Sequence, residues 1–562
     1  MAERAGPAFS LVVIADAHVH DIEGDYGIPG IAVGERRLSL QTWAHSREST
    51  RVYNESSLAF EAALDVVASR GIRHVVLLGD YTDDGQRRTT ESLAKRLWEH
   101  EARFGTRFYA LPGNHDIFGP AGRHQSRHFL VPDGGSVRVS SDDRDPPSGS
   151  VVTPVMFCEG YPAGLMPMAR YGYFRRPDDL SWETPFGHDD SPEARTYEVA
   201  SEDGTNRYQL MDASYLVEPE PGLWLLMIDA NVFEPRNGSF RRGSKSAFID
   251  SSGAGWNALL RLKPFLIDWI ADVAARAQAS GKTLLPFSHY PTIDPFDDRE
   301  GYEQALFPDG VISLRRPKDE VAEALISAGL KLHFSGHWHI DGVSRHQHLD
   351  KTLTNIALPS LVAFPPAFKH LSVETGCLTV ETIDLSTLPL DGDVMALYRR
   401  EAERNGLVPD EALQAIDYGD FLRCHAKALV AHRYFRREWP QDVIRIIATM
   451  SVADLLCDPR TAPQHHRAAS LLVANAFSDL SVLDLIADWY CLRQAGSMAL
   501  SLIGQQRLDH MRRIAGPYAD PPSASDEIQT HPVVAYLEIF FRSMQFYVDR
   551  AEQLDGMNQF DL

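Results

Sequence analysis

Five short polar segments of this 562-residue chain carry the kinds of side chain that hold metal ions in proteins. They are Asp16-Ala17-His18, Gly79-Asp80-Tyr81-Thr82-Asp83, Gly113-Asn114-His115-Asp116, Ser288-His289-Tyr290 and Gly336-His337-Trp338-His339. Their carboxylate, amide and imidazole groups are ligands of borderline hardness, which suit two divalent first-row metals. The segments therefore predict a two-metal site.

The last of these segments is the most informative because two histidines lie one residue apart. His337 and His339 follow an apolar run, 330–334, that is typical of a buried strand. Gly336 before the pair allows the backbone to turn, so that both imidazoles can approach one centre. Histidine pairs at this spacing are common by chance, and only the other four segments make this one significant.

Two metals are suited to the hydrolysis of a phosphate ester. They neutralise the phosphoryl oxygens and lower the pKa of a water between them. Such a site needs a bridging carboxylate, and Asp80 is the best candidate because it follows a strand-like run into a glycine-flanked turn. A leaving alkoxide needs a proton donor, and His115 beside Asn114 is placed to be one.

Each segment directly follows an apolar run that predicts a strand. These runs are residues 9–15, 74–78, 108–111, 283–288 and 331–335. Helical periodicity occurs between them at residues 55–70, 89–104, 259–277 and 321–328. Alternating strands and helices predict an α/β layered fold with the ligands at the carboxyl ends of the strands. Residues 20–51 are polar and Gly-rich, which predicts a loop near the first ligands.

The chain length predicts two domains. The first, 1–389, contains the five segments and an insertion at about 120–220, where Pro, Gly, Asp and Arg interrupt the pattern. We expect that insertion to be partly ordered and to lie over the site. The second domain, 390–562, is predicted to be α-helical, with runs at 421–434, 442–450, 465–477, 480–515 and 533–554.

Large apolar side chains are frequent in the helical runs of 390–562, so more than one helix face must be buried. Either the catalytic domain or a second chain could pack against these faces. We therefore expect 390–562 to serve as a lid or as the interface of a homodimer. The region contains no candidate catalytic residue.

Composition limits the partners and the compartment. The formal charge is −22, which argues against a long nucleic acid as partner. No stretch is apolar enough to predict a membrane span, and residues 1–10 do not resemble a signal peptide. The cysteines are scattered and few, as expected for reduced thiols in a cytoplasmic protein: Cys158, Cys377, Cys424, Cys457 and Cys491.

The ordered set D-x-H, G-D-x-x-D, G-N-H-D, H and G-H-x-H, within residues 9–341, resembles the calcineurin-like metallophosphoesterases. The resemblance implies a β-sandwich flanked by helices and a centre of two divalent ions, Mn, Fe or Zn. It also implies hydrolysis through a hydroxide that bridges the metals. Two ligand sets follow from the resemblance: Asp16, His18, Asp80 and His339 for one metal, and Asp80, Asn114, His289 and His337 for the other. His115 would be the acid or transition-state stabiliser, oriented by Asp83 in preference to Asp84.

Within the family, several segments are most similar to the class III cyclic-nucleotide phosphodiesterases: 226–230, the helix with Trp269, 287–291 and 355–365. The long interval between Asp16 and Asp80, the insertion and the helical region depart from the family pattern, which leaves the substrate open. Purple acid phosphatases have a metal-binding tyrosine where this chain has Asp83, which argues against their Fe(III)–tyrosinate centre.

Three functional hypotheses follow. The first is an enzyme that hydrolyses a small, nucleotide-like phosphodiester or phosphomonoester. The second is a lipid-headgroup phosphodiesterase similar to acid sphingomyelinases, which the lack of a signal peptide and of paired cysteines disfavours. The third is a non-catalytic binding scaffold, although such scaffolds typically lose ligands and none of the seven is missing here. His20 and the pairs Arg175-Arg176 and Arg241-Arg242 are interpreted as ordinary loop and surface residues.

Overall fold

A computed structural model of the chain describes residues 9–241, 244–374, 376–407, 410–462, 475–519 and 531–562. The described residues form a mixed α/β fold with two large sheets, flanking helices and a helical C-terminal region. The first sheet has six strands in the order Gln559–Asp561, Cys377–Asp384, Ala367–Glu374, Phe9–Ile14, His74–Leu78 and Arg107–Leu111. The second has seven, in the order Gly342–His348, Lys351–Ala357, Leu332–Ser335, Thr283–Ser288, Leu223–Ile228, Tyr215–Glu220 and Ser181–Glu183.

The strands that precede the polar segments are parallel neighbours within each sheet. In the first sheet Val12 pairs with Val75 and Val75 with Phe108; in the second, Phe287 pairs with Phe334. Parallel strands end at the same edge of a sheet, so the polar segments that follow them come together there. Most residues of these strands are buried, which is typical of strands covered on both faces.

Helices lie between the strands at the positions where periodicity predicts them. They are Ser56–Ser69, Arg87–Phe104, Ser251–Leu262, Pro264–Ser280 and Asp319–Ser327. The single helix predicted at 259–277 is two helices, because Pro264 begins a new one and Lys263 before it is not helical. Lys263 is fully buried and its Nζ lies 2.8 Å from Oδ2 of Asp212.

The insertion at 120–220 contains regular structure of its own. Its strands are Ser126–Leu130, Ser136–Ser140, Val151–Val152, Ser181–Glu183, Thr196–Ala200, Arg207–Met211 and Tyr215–Glu220. Two of them, Ser181–Glu183 and Tyr215–Glu220, form the outer edge of the second sheet. Part of the insertion therefore extends the sheet that carries His289.

The region after residue 390 is helical, as predicted. Its main helices are Gly392–Arg404, Tyr418–Leu429, Gln441–Ile447, Val452–Cys457, Val482–Ala495, Gln505–Ala519 and Pro532–Leu554. The run predicted at 480–515 is interrupted at Gly496, whose φ of 47° is left-handed. Residues 465–474 of the run predicted at 465–477 lie outside the described residues. The sequence did not predict the strand Gln559–Asp561, which returns to the first sheet beside Cys377–Thr379.

The helical region shares one hydrophobic core with the sheets. Trp43 lies against Tyr398 and Phe421, with 5.6 Å between ring centroids in both pairs. Phe307 lies 6.0 Å from Trp439 by the same measure. Among the described residues, no helix combines the length and apolar character that crossing a membrane requires.

Candidate metal centre

The seven predicted ligands meet at the edge where the parallel strands end. Two compact groups form there, and the ligand atoms of each lie within 4.8 Å of one another. One group is Asp16, His18 and His339, and the other is Asp80, His289 and His337. Oδ1 of Asn114 lies 3.3 Å from Nε2 of His289, which places the amide in the second group.

Asp80, a member of the second group, also approaches the first. Its Oδ2 is 3.7 Å from Nε2 of His18 in the first group and 3.3 Å from Nε2 of His289 in the second. Its other oxygen, Oδ1, accepts a hydrogen bond of 2.7 Å from the backbone N–H of His115. One carboxylate therefore faces both groups while the loop of Asn114 fixes its orientation.

The backbone is strained at most of the predicted ligands. Asp16, His18, Asp80, His337 and His339 have φ values of 50°, 42°, 49°, 72° and 55°. Residues other than glycine rarely adopt such left-handed conformations, and they cluster at functional sites when they do. Five in one place support the interpretation of this edge as the functional site.

Glycines beside the ligands make the close approach of the loops possible. A Cβ at Gly79 would lie 2.5 Å from Nδ1 of His289. A Cβ at Gly336 would meet Oδ2 of Asp16 and would lie 2.9 Å from Cβ of Ala15. The glycine that precedes a ligand in one segment thus makes room for a ligand from another.

The residues fit two divalent cations. Among the described residues, Oδ1 of Asp16 is buried without a hydrogen-bond partner, a costly state that a cation would relieve. Burial lowers the pKa of His18 and of His337 well below the usual value, which keeps both rings neutral and able to ligate. Nδ1 of His289 donates to the carbonyl oxygen of Leu78 at 3.0 Å, which directs Nε2 toward Asp80. Burial opposes protonation of His289, but the charge of Asp80 outweighs it and raises the pKa to about 9, so a cation would displace the Nε2 proton to be bound.

The carboxylate that contacts His115 is Asp84, which corrects the expected partner Asp83. Oδ1 of Asp84 lies 2.6 Å from Nδ1 of His115. Asp83 instead accepts hydrogen bonds of 2.7 Å from Arg51 and 2.9 Å from Gln41. The backbone of Asp84 is left-handed, with φ of 67°. The chain turns here, so the side chains of Asp83 and Asp84 have different neighbours.

Arginines support this carboxylate pair, and the motifs did not reveal them. Nη2 of Arg51 lies 3.2 Å from Nδ1 of His115, and Arg127 pairs with Asp84. Arg51 comes from the polar loop 20–51 and Arg127 from the insertion. The only sequence signal was the expectation that both segments lie near the site. His20, interpreted as an ordinary loop residue, contacts the carbonyl oxygen of Ser39 and belongs to neither ligand group.

A cleft of about 740 Å³ includes five of the candidate ligands in its lining. They are His18, Asp80, Asn114, His337 and His339. The helical region also contributes to its lining: Arg433, Tyr434, Arg437, Glu438, Tyr490, Arg493 and Gln494. Sequence reasoning missed this contribution because none of these residues belongs to a motif.

Comparison with known proteins gives one family match. Residues 9–197 match the family model described as calcineurin-like phosphoesterase. No curated protein matches the chain.

Three solved structures are similar to the chain over part of its length. A dimetal phosphatase from Danio rerio is 15% identical over 67% of this chain and 96% of its own, with a TM-score of 0.35. GAP50, the anchor in the inner membrane complex of Plasmodium, is 9% identical over 67% and 84%, with a TM-score of 0.26. The phosphopantetheinyl hydrolase of Mycobacterium tuberculosis is 12% identical over 63% and 91%, with a TM-score of 0.23.

Proposed function

We propose that this chain, whose residues 9–197 match the calcineurin-like phosphoesterase family model, hydrolyses a small phosphodiester or phosphomonoester with two divalent metal ions. The observation that carries the proposal is the placement of Asp80, whose carboxylate faces both ligand groups. Asp16, His18, Asp80 and His339 would hold one ion. Asp80, Asn114, His289 and His337 would hold the other.

Manganese, iron and zinc are the candidate ions. When bound, two such ions neutralise the phosphoryl oxygens and make water a better nucleophile at neutral pH. The protein contributes orientation: His337 donates its backbone N–H to Oδ2 of Asp16 at 2.9 Å, and Ser360 Oγ donates to the Asp16 carbonyl at 2.7 Å. These bonds hold the Asp16 carboxylate and its backbone in place before substrate arrives.

His115 is the proposed proton donor to the leaving oxygen. It lines the cleft beside Asn114, and Asp84 orients its ring through Nδ1. Burial and the nearby Arg51 lower the pKa of His115 to about 3, against the opposing charges of Asp80 and Asp83. The negative charge of a bound phosphoester would favour protonation of the ring, and the imidazolium could then transfer its Nε2 proton to an alkoxide as it leaves.

The dimensions and charge of the cleft favour a small substrate. Sites for small molecules in proteins typically measure about 300–1,000 Å³, and this cleft falls within that range. The net charge of −22 opposes the approach of long DNA or RNA. A nucleotide-sized phosphoester is therefore the substrate class that we favour.

The proposal is tested with Mn²⁺-loaded protein, bis-p-nitrophenyl phosphate and p-nitrophenyl phosphate. We expect about two metal ions per chain and hydrolysis of at least one ester. Asp80→Ala should lose at least one ion and abolish hydrolysis, because both ligand groups lose a shared oxygen donor. Asp393→Ala, which changes an exposed aspartate of the helical region, is the matched control and should behave as wild type.

Two results would contradict the proposal. One is a wild-type protein that binds two metals and cleaves neither ester, as the scaffold hypothesis predicts. The other is an Asp80→Ala variant that keeps both ions and near-normal turnover.

A further inference from the structure

Two arginines of the helical region line the same cleft as the candidate metal centre. Arg433 and Arg437 belong to Val430–Tyr434 and Phe435–Arg437, which continue the helix Tyr418–Leu429. Residues four apart on a helix lie on the same face. Both side chains line the cleft, whereas Arg436 between them does not.

Within the ranges that the structure describes, these two arginines form no direct ion pair, although the carboxylate of Glu438 interacts electrostatically with Arg433. Nη1 of Arg433 donates to the backbone oxygen of Glu48 at 3.0 Å, a bond that orients the guanidinium without cancelling its charge. Arg315, which also lines the cleft, has no ion pair within the same ranges.

Arg493 adds a buried positive charge to the lining of the cleft. Its side chain is only 5% exposed, and its guanidinium lies 4.5 Å from the ring centroid of Phe296 and 5.0 Å from that of Tyr490. The nearest carboxylate oxygen, on Glu303, is 3.4 Å from Nε. Nε and Nη1 are both buried without a hydrogen-bond partner among the described residues.

The cleft as a whole is basic although the chain is acidic. Seven arginines line it: Arg51, Arg123, Arg127, Arg315, Arg433, Arg437 and Arg493. Its acidic residues are Glu48, Asp80, Asp84, Asp309 and Glu438. Asp80 is a proposed metal ligand, Asp84 is paired with Arg127, and Glu438 accepts a hydrogen bond of 3.1 Å from Tyr490, so the arginines outnumber the carboxylates that are left to face the substrate space. A cleft of this kind concentrates small anions even on a protein with a net charge of −22.

We propose that the substrate carries a second phosphate group, which Arg433 and Arg437 bind while the scissile phosphate lies at the metal centre. This inference rests on the proposed phosphoesterase function. The metal centre would hold one phosphoryl group, so the guanidinium groups of Arg433 and Arg437 in the lining of the same cleft are available for another. Arginine suits this role because its planar group donates two parallel hydrogen bonds to phosphate. The helical region is thus part of the substrate site and selects bisphosphorylated compounds.

The test compares adenosine 3′,5′-bisphosphate with adenosine 5′-monophosphate, first by calorimetric binding to the metal-free protein. Wild type should bind the bisphosphate more tightly. Arg433→Ala/Arg437→Ala should weaken bisphosphate binding by about tenfold to a hundredfold, the loss expected for hydrogen bonds to a charged group. It should change monophosphate binding much less. Arg436→Ala, from the same segment but outside the cleft, should match wild type.

The same variants are then assayed as Mn²⁺-loaded enzymes. The ratio of kcat/KM for the bisphosphate to that for the monophosphate should fall in the double variant and stay constant in Arg436→Ala. Bisphosphate binding that the double variant leaves unchanged would overturn the second-phosphate site, whatever the activity. Failure of the loaded wild-type enzyme to cleave p-nitrophenyl esters would instead contradict the proposed function.

Discussion

The imidazole of His115 has its hydrogen-bond partners at Nδ1, and this determines which ring nitrogen can take part in a reaction. Nδ1 faces Oδ1 of Asp84 at 2.6 Å and Nη2 of Arg51 at 3.2 Å. The ring also lies 5.0 Å from the ring of His18, measured between centroids. With Nδ1 engaged, Nε2 is the atom left for the substrate.

At the scale of a single residue, His115→Ala should reduce hydrolysis of an alkyl phosphoester by on the order of a hundredfold or more. The loss should be much smaller with a p-nitrophenyl ester, because p-nitrophenolate leaves without a proton. Asp84→Asn should show the same dependence on leaving group. Asp393→Asn, at an exposed position of the helical region, is the control. Equal losses on both esters for His115→Ala would exclude leaving-group protonation.

Residue types and spacing were sufficient to predict which seven side chains converge. They were not sufficient to choose between Asp83 and Asp84, because adjacent carboxylates differ only in where the turn directs them. That direction depends on the left-handed φ of Asp84 and on Arg127, which comes from the insertion far along the chain. No local pattern in the sequence encodes either feature.

At the scale of secondary-structure elements, the loops that follow the parallel strands pack closely against one another, with glycine at the points of contact. Gly336→Ala should displace Oδ2 of Asp16, which accepts from the backbone of His337, because the new methyl group would occupy its position. We expect the variant to fold but to retain fewer than two metal ions, as measured by elemental analysis. Gly392→Ala is the matched control, since a Cβ there meets no atom within 4 Å. Full metal content in Gly336→Ala would show that the loop tolerates the methyl group.

The central strands were predictable because they are short, apolar and buried. The strand Ala367–Glu374 was not, because Lys369, His370 and Glu374 interrupt its apolar residues. The strand Gln559–Asp561 has three residues and exists only through its pairing with Cys377–Thr379. Strands of this kind are defined by their partners, which a single sequence does not show.

At the scale of the whole molecule, the helical region is bonded to the loop that follows His339. The backbone N–H of Asp341 donates to the carbonyl of Gln494 at 2.9 Å, and Ser497 Oγ donates to Oδ2 of Asp341 at 2.7 Å. A Cβ on Gly496 would collide with the carbonyl oxygen of Asp341. The break in the helical region at Gly496 therefore packs closely against the loop that carries His337 and His339.

The apolar side chains that led us to expect a lid or a dimer interface are largely buried within one chain. Phe421, Leu422, Trp489, Phe540 and Phe541 are all at most 1% exposed. Together with the ring contacts of Trp43 and Phe307, this burial supports docking of the helical region on the catalytic sheets. A homodimer through the region stays a prediction.

Deleting residues 390–562 should therefore impair both stability and catalysis. Burying one large apolar side chain contributes about 1.5–3 kcal/mol, so exposing several together rivals the net stability of a domain, about 5–15 kcal/mol. The truncated chain would also lose the edge strand Gln559–Asp561, the support of Asp341 and the arginines Arg433 and Arg437. We expect aggregation or a lower Tm, measured by size-exclusion chromatography and calorimetry. A truncated chain that stays soluble, monomeric, equally heat-stable and unchanged in substrate preference would show that the helical region is an independent module.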